Sequence, residues 1–415
     1  MNKFCARMFL PVVLSIFMTT IELPAQQPYQ LRSIGAPTPS SPSPSAKPIQ
    51  LRRVPAPTPI PAPERPHTVL PPVAPGVIAS PDDTAHFLAG MPVPPDSPLA
   101  PFAQIPEWQQ HAATLEERFT KLVPRFETIR AWQAAYLPES TAPMPVAFYM
   151  FSGPDFLYAD QFFPSASVYV LCGTEPIGPA PDPLRLRDMA TALPNLQNSM
   201  NSLLRFSFFI TKDMKTDLQQ ELKGTLPIFY VLIARAGKTI TDVTFVSLNR
   251  NGTFQETAPG KTGGTVPGVR ISYVDNRTRN PQTMFYFTTD ISNEGIKSNP
   301  GFLNFCQHFG VGSSLLKSSS YLLFENGFST VRNFLLDHSN TIVQDDSGIP
   351  LPYFNRDKWN LRLFGTYIGP IASFKQHYQP ELQEFYKQSN PPPLGFGFGY
   401  RWNRTESNLV VAQRN

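Results

Sequence analysis

The sequence has no Cys-x-x-Cys pair, no His-x-His and no His-Glu-x-x-His, so thiol oxidoreductases and the common zinc sites find no support. Three cysteines and six histidines in 415 residues are too few for a multi-bridge scaffold or a histidine-rich metal centre. There is no Gly-x-Ser-x-Gly, and Lys317 to Tyr321, "KSSSY", runs in the wrong order for a Ser-x-x-Lys hydrolase. "PGKTGG", Pro259 to Gly264, lacks the first glycine of a phosphate loop, because Gln255 stands in its place, and it reads as a hairpin loop. The formal charge of +4 is scattered, with no basic run interleaved with aromatics. Nucleic acid is therefore excluded as a partner, and an acidic cell-envelope polymer or protein stays open. Beyond the N-terminus no apolar run is long enough to span a bilayer as a helix.

What the chain has in excess is proline, 47 residues, about half of them in its first quarter. Lys3 and Arg7 precede an apolar run from Met8 to Ile21, and Pro24-Ala25 follows, the charge, apolar and small-residue order of a signal peptide over residues 1–25. This predicts export to a periplasm or the extracellular space. The alternative is an uncleaved signal anchor, because Leu23 is a poor residue three positions before the cut. Residues 26–101 repeat motifs such as "VPAPTPIPAPERP". Proline removes backbone donors and fixes extended geometry, so this stretch is expected to be a disordered Pro-rich linker. After cleavage Cys172 and Cys306 remain, both among apolar residues, and read as two buried thiols, with one disulfide as the alternative.

Residues 102–415 are expected to form the globular part. Trp108, Ala112, Leu115, Phe119, Leu122, Phe126, Ile129 and Tyr136 recur at steps of three and four, with Gln133 filling the one missing step, which predicts an amphipathic helix over 107–137 kinked at Pro124. Its stripe is expected on its own domain, a coiled-coil dimer seam being the other possibility. "VAFYMF" and "SVYVLCG" read as buried strands joined through a short helix, "DFLYADQFF", a parallel β-α-β unit. Turns at Asn249 to Gly252 and Asn276 to Pro281 predict antiparallel hairpins in the middle of the chain. Helices are expected at 184–209, 212–222, 227–236, 300–309, 329–338 and 380–388, and strands at "YLLFE", "NTIVQ", "NLRLFGTYI", "LGFGFGYRW" and "SNLVVAQ". The fold class is α/β, a mixed sheet with a parallel β-α-β unit and an antiparallel hairpin section.

Candidate chemistry rests on acids that follow strands. Ser152-Gly153-Pro154-Asp155 matches a capping box, Glu175 follows the second strand, and Asp345-Asp346 follow "TIVQ". If those strands are parallel neighbours, Asp155, Glu175 and Asp345 or Asp346 meet at the edge where open α/β sheets place ligand crevices. Such a cluster suits acid and base hydrolysis. No cofactor is predicted, although calcium or magnesium could sit on the oxygens. Trp359, Tyr400 and Trp402 could offer a sugar-stacking platform. Every acidic motif also has a local explanation as a cap or turn. The sequence thus leans to an exported binding or structural protein of the envelope, with an exported hydrolase of glycoside or ester bonds as the alternative, and leaves open whether the chain is an enzyme.

Overall fold

A computed structural model describes residues 70–137, 144–209, 221–258, 266–403 and 405–415, all within one compact unit, Pro66–Asn415. The signal segment, the linker up to residue 69, most of the helix expected at 212–222 and the loop "PGKTGG" lie outside the described residues. The first described element already departs from expectation. Helix α1 (Pro81–Leu88) forms inside the stretch read as linker, because Ser80 accepts from the Asp83 amide at 3.0 Å and Pro81 occupies the first turn, where no amide partner is needed. Phe87 and Leu88 are buried, and the Asp82 carboxylate accepts from the Ile240 amide at 2.8 Å.

The expected long helix is split at Pro124 into α2 (Pro106–Thr120) and α3 (Val123–Tyr136). Its stripe packs on the domain's own core through Trp108, Leu115, Phe119 and Ile129. His111 joins that core: its Nε2 donates to the Leu88 carbonyl at 2.8 Å and its Nδ1 accepts from Gln197 at 2.9 Å. Burial pulls this imidazole down to about 4, so it is neutral in the folded protein at pH 7.

Strand β1 (Met144–Tyr149), helix α4 (Phe156–Phe162) and strand β2 (Ala166–Gly173) form the expected parallel unit. Helices α5 (Met189–Ser199), α6 (Asn201–Phe206) and α7 (Leu226–Arg235) follow. Then come the hairpin strands β3 (Lys238–Leu248), β4 (Phe254–Glu256), β5 (Val266–Asp275) and β6 (Pro281–Thr288). Helices α8 (Asn293–Ser298) and α9 (Gly301–Gln307) lead to β7 (Gly312–Leu316), helix α10 (Ser329–His338) and β8 (Ser339–Gln344). The chain closes with β9 (Trp359–Gly365), α11 (Pro380–Ser389) and β10 (Asn408–Arg414).

The strands make one sheet in the order β4-β3-β5-β6-β2-β1-β7-β8-β10-β9. Its centre, β6-β2-β1-β7-β8, is parallel, and both flanks are antiparallel. Successive residues alternate between two cores: Val146 and Phe148 face one with α9 and α10, while Ala147 and Tyr149 face the other with α1 to α5 and α7. Helices on both faces explain why these strands read as continuous apolar runs. Two strand expectations fail. "YLLFE" forms short 3-10 turns, with Tyr321 left-handed, and "LGFGFGYRW" makes only an isolated bridge between Phe398 and Arg401. The strand that fills the place between β1 and β8 is instead β7, whose Gly-Ser-Ser start has weak strand propensity. Its small residues let neighbouring strands approach: a Cβ on Gly312 would lie 2.4 Å from the Val146 carbonyl oxygen, and the Ser314 hydroxyl bonds that of Ser339 at 2.8 Å.

Candidate functional site

From β1 the chain runs through α4 to β2 on one side, whereas β7, on β1's other side, continues through α10 to β8. The carboxyl ends of β1 and β7 therefore flank a topological switch point, where diverging connections leave a crevice. A cavity of about 250 Å³ lies there, lined among others by Asp155, Glu175, Asp290, Lys317, Ser319 and Tyr400.

Asp155 opens α4 and faces the crevice at once. Its Oδ1 accepts from the Tyr158 amide at 3.1 Å, which makes Asp155 itself the cap of the helix. Its Oδ2 accepts from the Tyr149 hydroxyl at 2.9 Å and pairs with Lys317 Nζ at 2.7 Å. The Ser-x-x-Asp capping box does not form. Ser152 instead donates to the carbonyls of Gly153 at 2.7 Å and Cys172 at 3.3 Å, tying the loop after β1 to β2.

Lys317 is the first residue past β7 and is 1% exposed. Besides Asp155 it donates to the Ser207 carbonyl and lies 3.6 Å from the centre of the Tyr158 ring. Burial pulls its ammonium pKa down against the opposing pull of the Asp155 carboxylate. After it, Ser318, Ser320 and Tyr321 all take left-handed backbone angles, which for non-glycine residues cost about 1–3 kcal/mol each. The bonds that hold this conformation come from behind the loop. Asp345 accepts from the Ser318 amide at 3.2 Å and the Tyr400 amide at 3.2 Å, Ser347 accepts from the Ser319 amide at 2.7 Å, and Asp346 accepts from the Tyr321 hydroxyl at 2.6 Å.

The four acids thus divide two and two. Asp155 and Glu175 line one cavity, while Asp345 and Asp346 stand behind its wall and point apart, the second toward Asn408 at 2.9 Å. Burial, with the neighbouring Asp346 carboxylate, pushes Asp345 up to about 7 against the pull of its Ser347 and Ser318 donors.

Glu175 differs from the other three. It is 3% exposed, and the bond to its carboxylate is a long one, 3.4 Å from the Tyr286 hydroxyl, which also reaches the Glu175 carbonyl at 3.1 Å. No cation or amide pairs with this carboxylate among the described residues. Gly173 makes room for it: a Cβ there would sit 2.4 Å from Glu175 Oε2. Ser318 and Ser319 add buried hydroxyl oxygens without a hydrogen-bond partner, and both residues line the cavity. Of the proposed stacking residues, Tyr400 lines the cavity and packs against Phe208 at 5.1 Å, Trp402 is 40% exposed beside Phe206 at 5.6 Å, and Trp359 is buried in the core.

Cys172 and Cys306 are unbridged and buried, and burial pushes both thiols up, which favours the neutral thiol over the thiolate. Among the described residues no group of three or more His, Cys, Asp and Glu side chains is arranged to hold a metal ion. Also among them, no helix is long and apolar enough to cross a membrane. Sequence reasoning missed Lys317 and Ser319; the available signal was "LLKSSSY", an apolar pair ending in a lysine and a serine cluster, as at a strand's carboxyl end. Comparison with protein-family models, with curated proteins and with solved structures finds no match to this chain.

Proposed function

We propose that the protein is an exported binding protein that holds a small polyhydroxylated molecule, such as one sugar unit of a cell-envelope polymer, in the crevice above β1 and β7. The observation that carries this reading is the state of Asp155: its charge is compensated by Lys317 and its oxygens are occupied by the α4 cap and Tyr149. A carboxylate so engaged serves the fold, whereas a general acid or base must be free to exchange a proton with a substrate. The free hydroxyls of Ser318 and Ser319 and the aromatic wall at Tyr400 and Phe208 suit the alternating polar and apolar surface of a sugar ring. The charged and apolar order of the N-terminus supports export, and the Pro-rich linker would set the domain apart from whatever precedes it.

The test is calorimetric titration with monosaccharides and envelope-glycan fragments, alongside turnover assays on nitrophenyl glycosides and esters. Binding without turnover is the expected result. The hydrolase alternative draws on one observation, that Asp155 and Glu175 line the same cavity. Turnover abolished by both Asp155→Asn and Glu175→Gln would establish it in place of the binding reading.

A further inference from the structure

The structure assigns Glu175 as the counter-ion for a protonated amine, so that the crevice, on the binding reading above, selects an amino sugar over a neutral or acylated one. Two independent observations meet here. First, a carboxylate 97% removed from solvent normally has a cation or at least two short hydrogen bonds, because an unpaired buried charge loses its hydration for nothing in return. The three other acids of this edge follow that rule: Asp155 has Lys317, Asp345 has three amides, and Asp346 has Tyr321 and Asn408. Glu175 has one long bond from Tyr286. Second, Ser319 is 1% exposed with a hydroxyl that meets no partner, on the same cavity. A buried hydroxyl left unsatisfied is costly in the same way, and both groups are relieved by one ligand that donates to the acid and exchanges hydrogen bonds with the serine.

Charge narrows the class. The charged side chains lining the cavity among the described residues are Asp155, Glu175, Asp290 and Lys317. Lys317 and Asp155 neutralise each other, which leaves Glu175 as the uncompensated charge inside and Asp290, exposed, as a second anion at the rim. A ligand carboxylate or phosphate would find no uncompensated cation among these residues, so acidic sugars and amino acids fit less well than a ligand that carries only an ammonium. The hydroxyls and the Tyr400 ring account for the remainder of a hexosamine.

Three sugars that share one ring separate the possibilities at pH 6, where the amine is protonated: glucosamine, glucose and N-acetylglucosamine, titrated calorimetrically into the full chain. Glucosamine is expected to bind at least about tenfold more tightly than either neutral sugar, the size of one charge-assisted hydrogen bond. Glu175→Gln should erase that preference while leaving glucose binding in place, and Ser319→Ala should weaken all three alike. If Glu175→Gln does not fold, Gly173→Ala carries the test, since its methyl group displaces the carboxylate; the preference should fall with it. Equal affinity for the three sugars, or a glucosamine preference that survives Glu175→Gln or, in its stead, Gly173→Ala, overturns the amine assignment and leaves the binding reading standing. Binding of none of the three by a folded chain overturns both.

Discussion

Among the described residues two lysines are fully buried, and one seven-residue helix touches both. At the amino end of α4, Lys317 meets Asp155; further along, Asp160 meets Lys238 at 2.8 Å. Lys238 starts β3 at the opposite edge of the sheet, where it also pairs with Asp275 at 2.5 Å and donates to Gln282 at 3.1 Å. Its ammonium thus donates to Asp275 and Gln282 and lies against the Asp160 carboxylate, enclosed by protein on the side away from the crevice. Lys317 has one carboxylate, one carbonyl and the face of a ring, and it lines a cavity. The same ion-pair chemistry closes one end of the β-α-β unit and leaves the other end open. Burial of a charge does not by itself mark a site; incomplete satisfaction beside a crevice does.

The closed end should be the more costly to break. Lys238→Met leaves Asp160 without a cation and Asp275 with Arg277 alone at 3.3 Å, and removing one partner of a buried ion pair costs about 3–5 kcal/mol. Urea denaturation followed by circular dichroism should show a larger loss than any substitution at the open end. The acid limb gives a second readout. Burial would raise the Asp275 carboxyl, yet the Lys238 ammonium and the Thr278 and Arg277 amides overcome it and hold the carboxyl well below the usual carboxylate range. The unfolded carboxyl takes up its proton as pH falls through about 4, the folded one only much lower. Stability in place above pH 4 is therefore lost as pH falls below it, and Lys238→Met should flatten that fall. An unchanged acid limb would show that the closed cluster contributes little.

At the open end the loss should be smaller. Lys317→Met removes one charge from Asp155, which retains the Tyr149 hydroxyl and the Tyr158 amide, so about 2 kcal/mol is expected, the value of a charged hydrogen bond. Asp155→Asn keeps the helix cap, because asparagine caps as well as aspartate, and should lose a similar amount through the pair alone. The double variant should cost at least about 1 kcal/mol less than the two single losses added, the mark of direct coupling. Strict additivity would mean that the lysine and the aspartate are neighbours without being partners.

How far the sequence foretold this contrast depends on local consistency. The strands β1 and β2 and the helix between them were legible because apolar runs, turn residues and spacing agreed. Helix α1 carried a plain signal in Ser80-Pro81-Asp82-Asp83, but its proline-rich surroundings outweighed it. Strand β7 was hidden by its glycine and serines, which serve close strand packing and not propensity, while "YLLFE" looked like a strand and is held in turns by Asp346 and the left-handed Tyr321. With β7 missed, Lys317 could not be placed beside Asp155, so the cluster of acids was foreseen without the cation that divides it. Burial and pairing are tertiary facts, and neither the compensation of Asp155 nor the unmet carboxylate of Glu175 leaves a trace in spacing.

The mildest change bears on the stretch "SGPD" itself. As the cap of α4, Ser152 would matter to the helix; as the structure has it, the hydroxyl ties the loop to Cys172 and Gly153 while Asp155 does the capping. Ser152→Ala should then cost about 1 kcal/mol, one neutral hydrogen bond, measured as a shift in the denaturation midpoint without a change in slope. Asp155→Ala, which removes cap and ion pair together, should cost clearly more than either Ser152→Ala or Asp155→Asn. If Ser152→Ala equalled Asp155→Ala, the two residues would form one reciprocal cap after all, and the open end of the unit would be held by its helix instead of by its lysine. The ordering of these three variants therefore decides whether the aspartate at this turn belongs first to the helix or to the crevice.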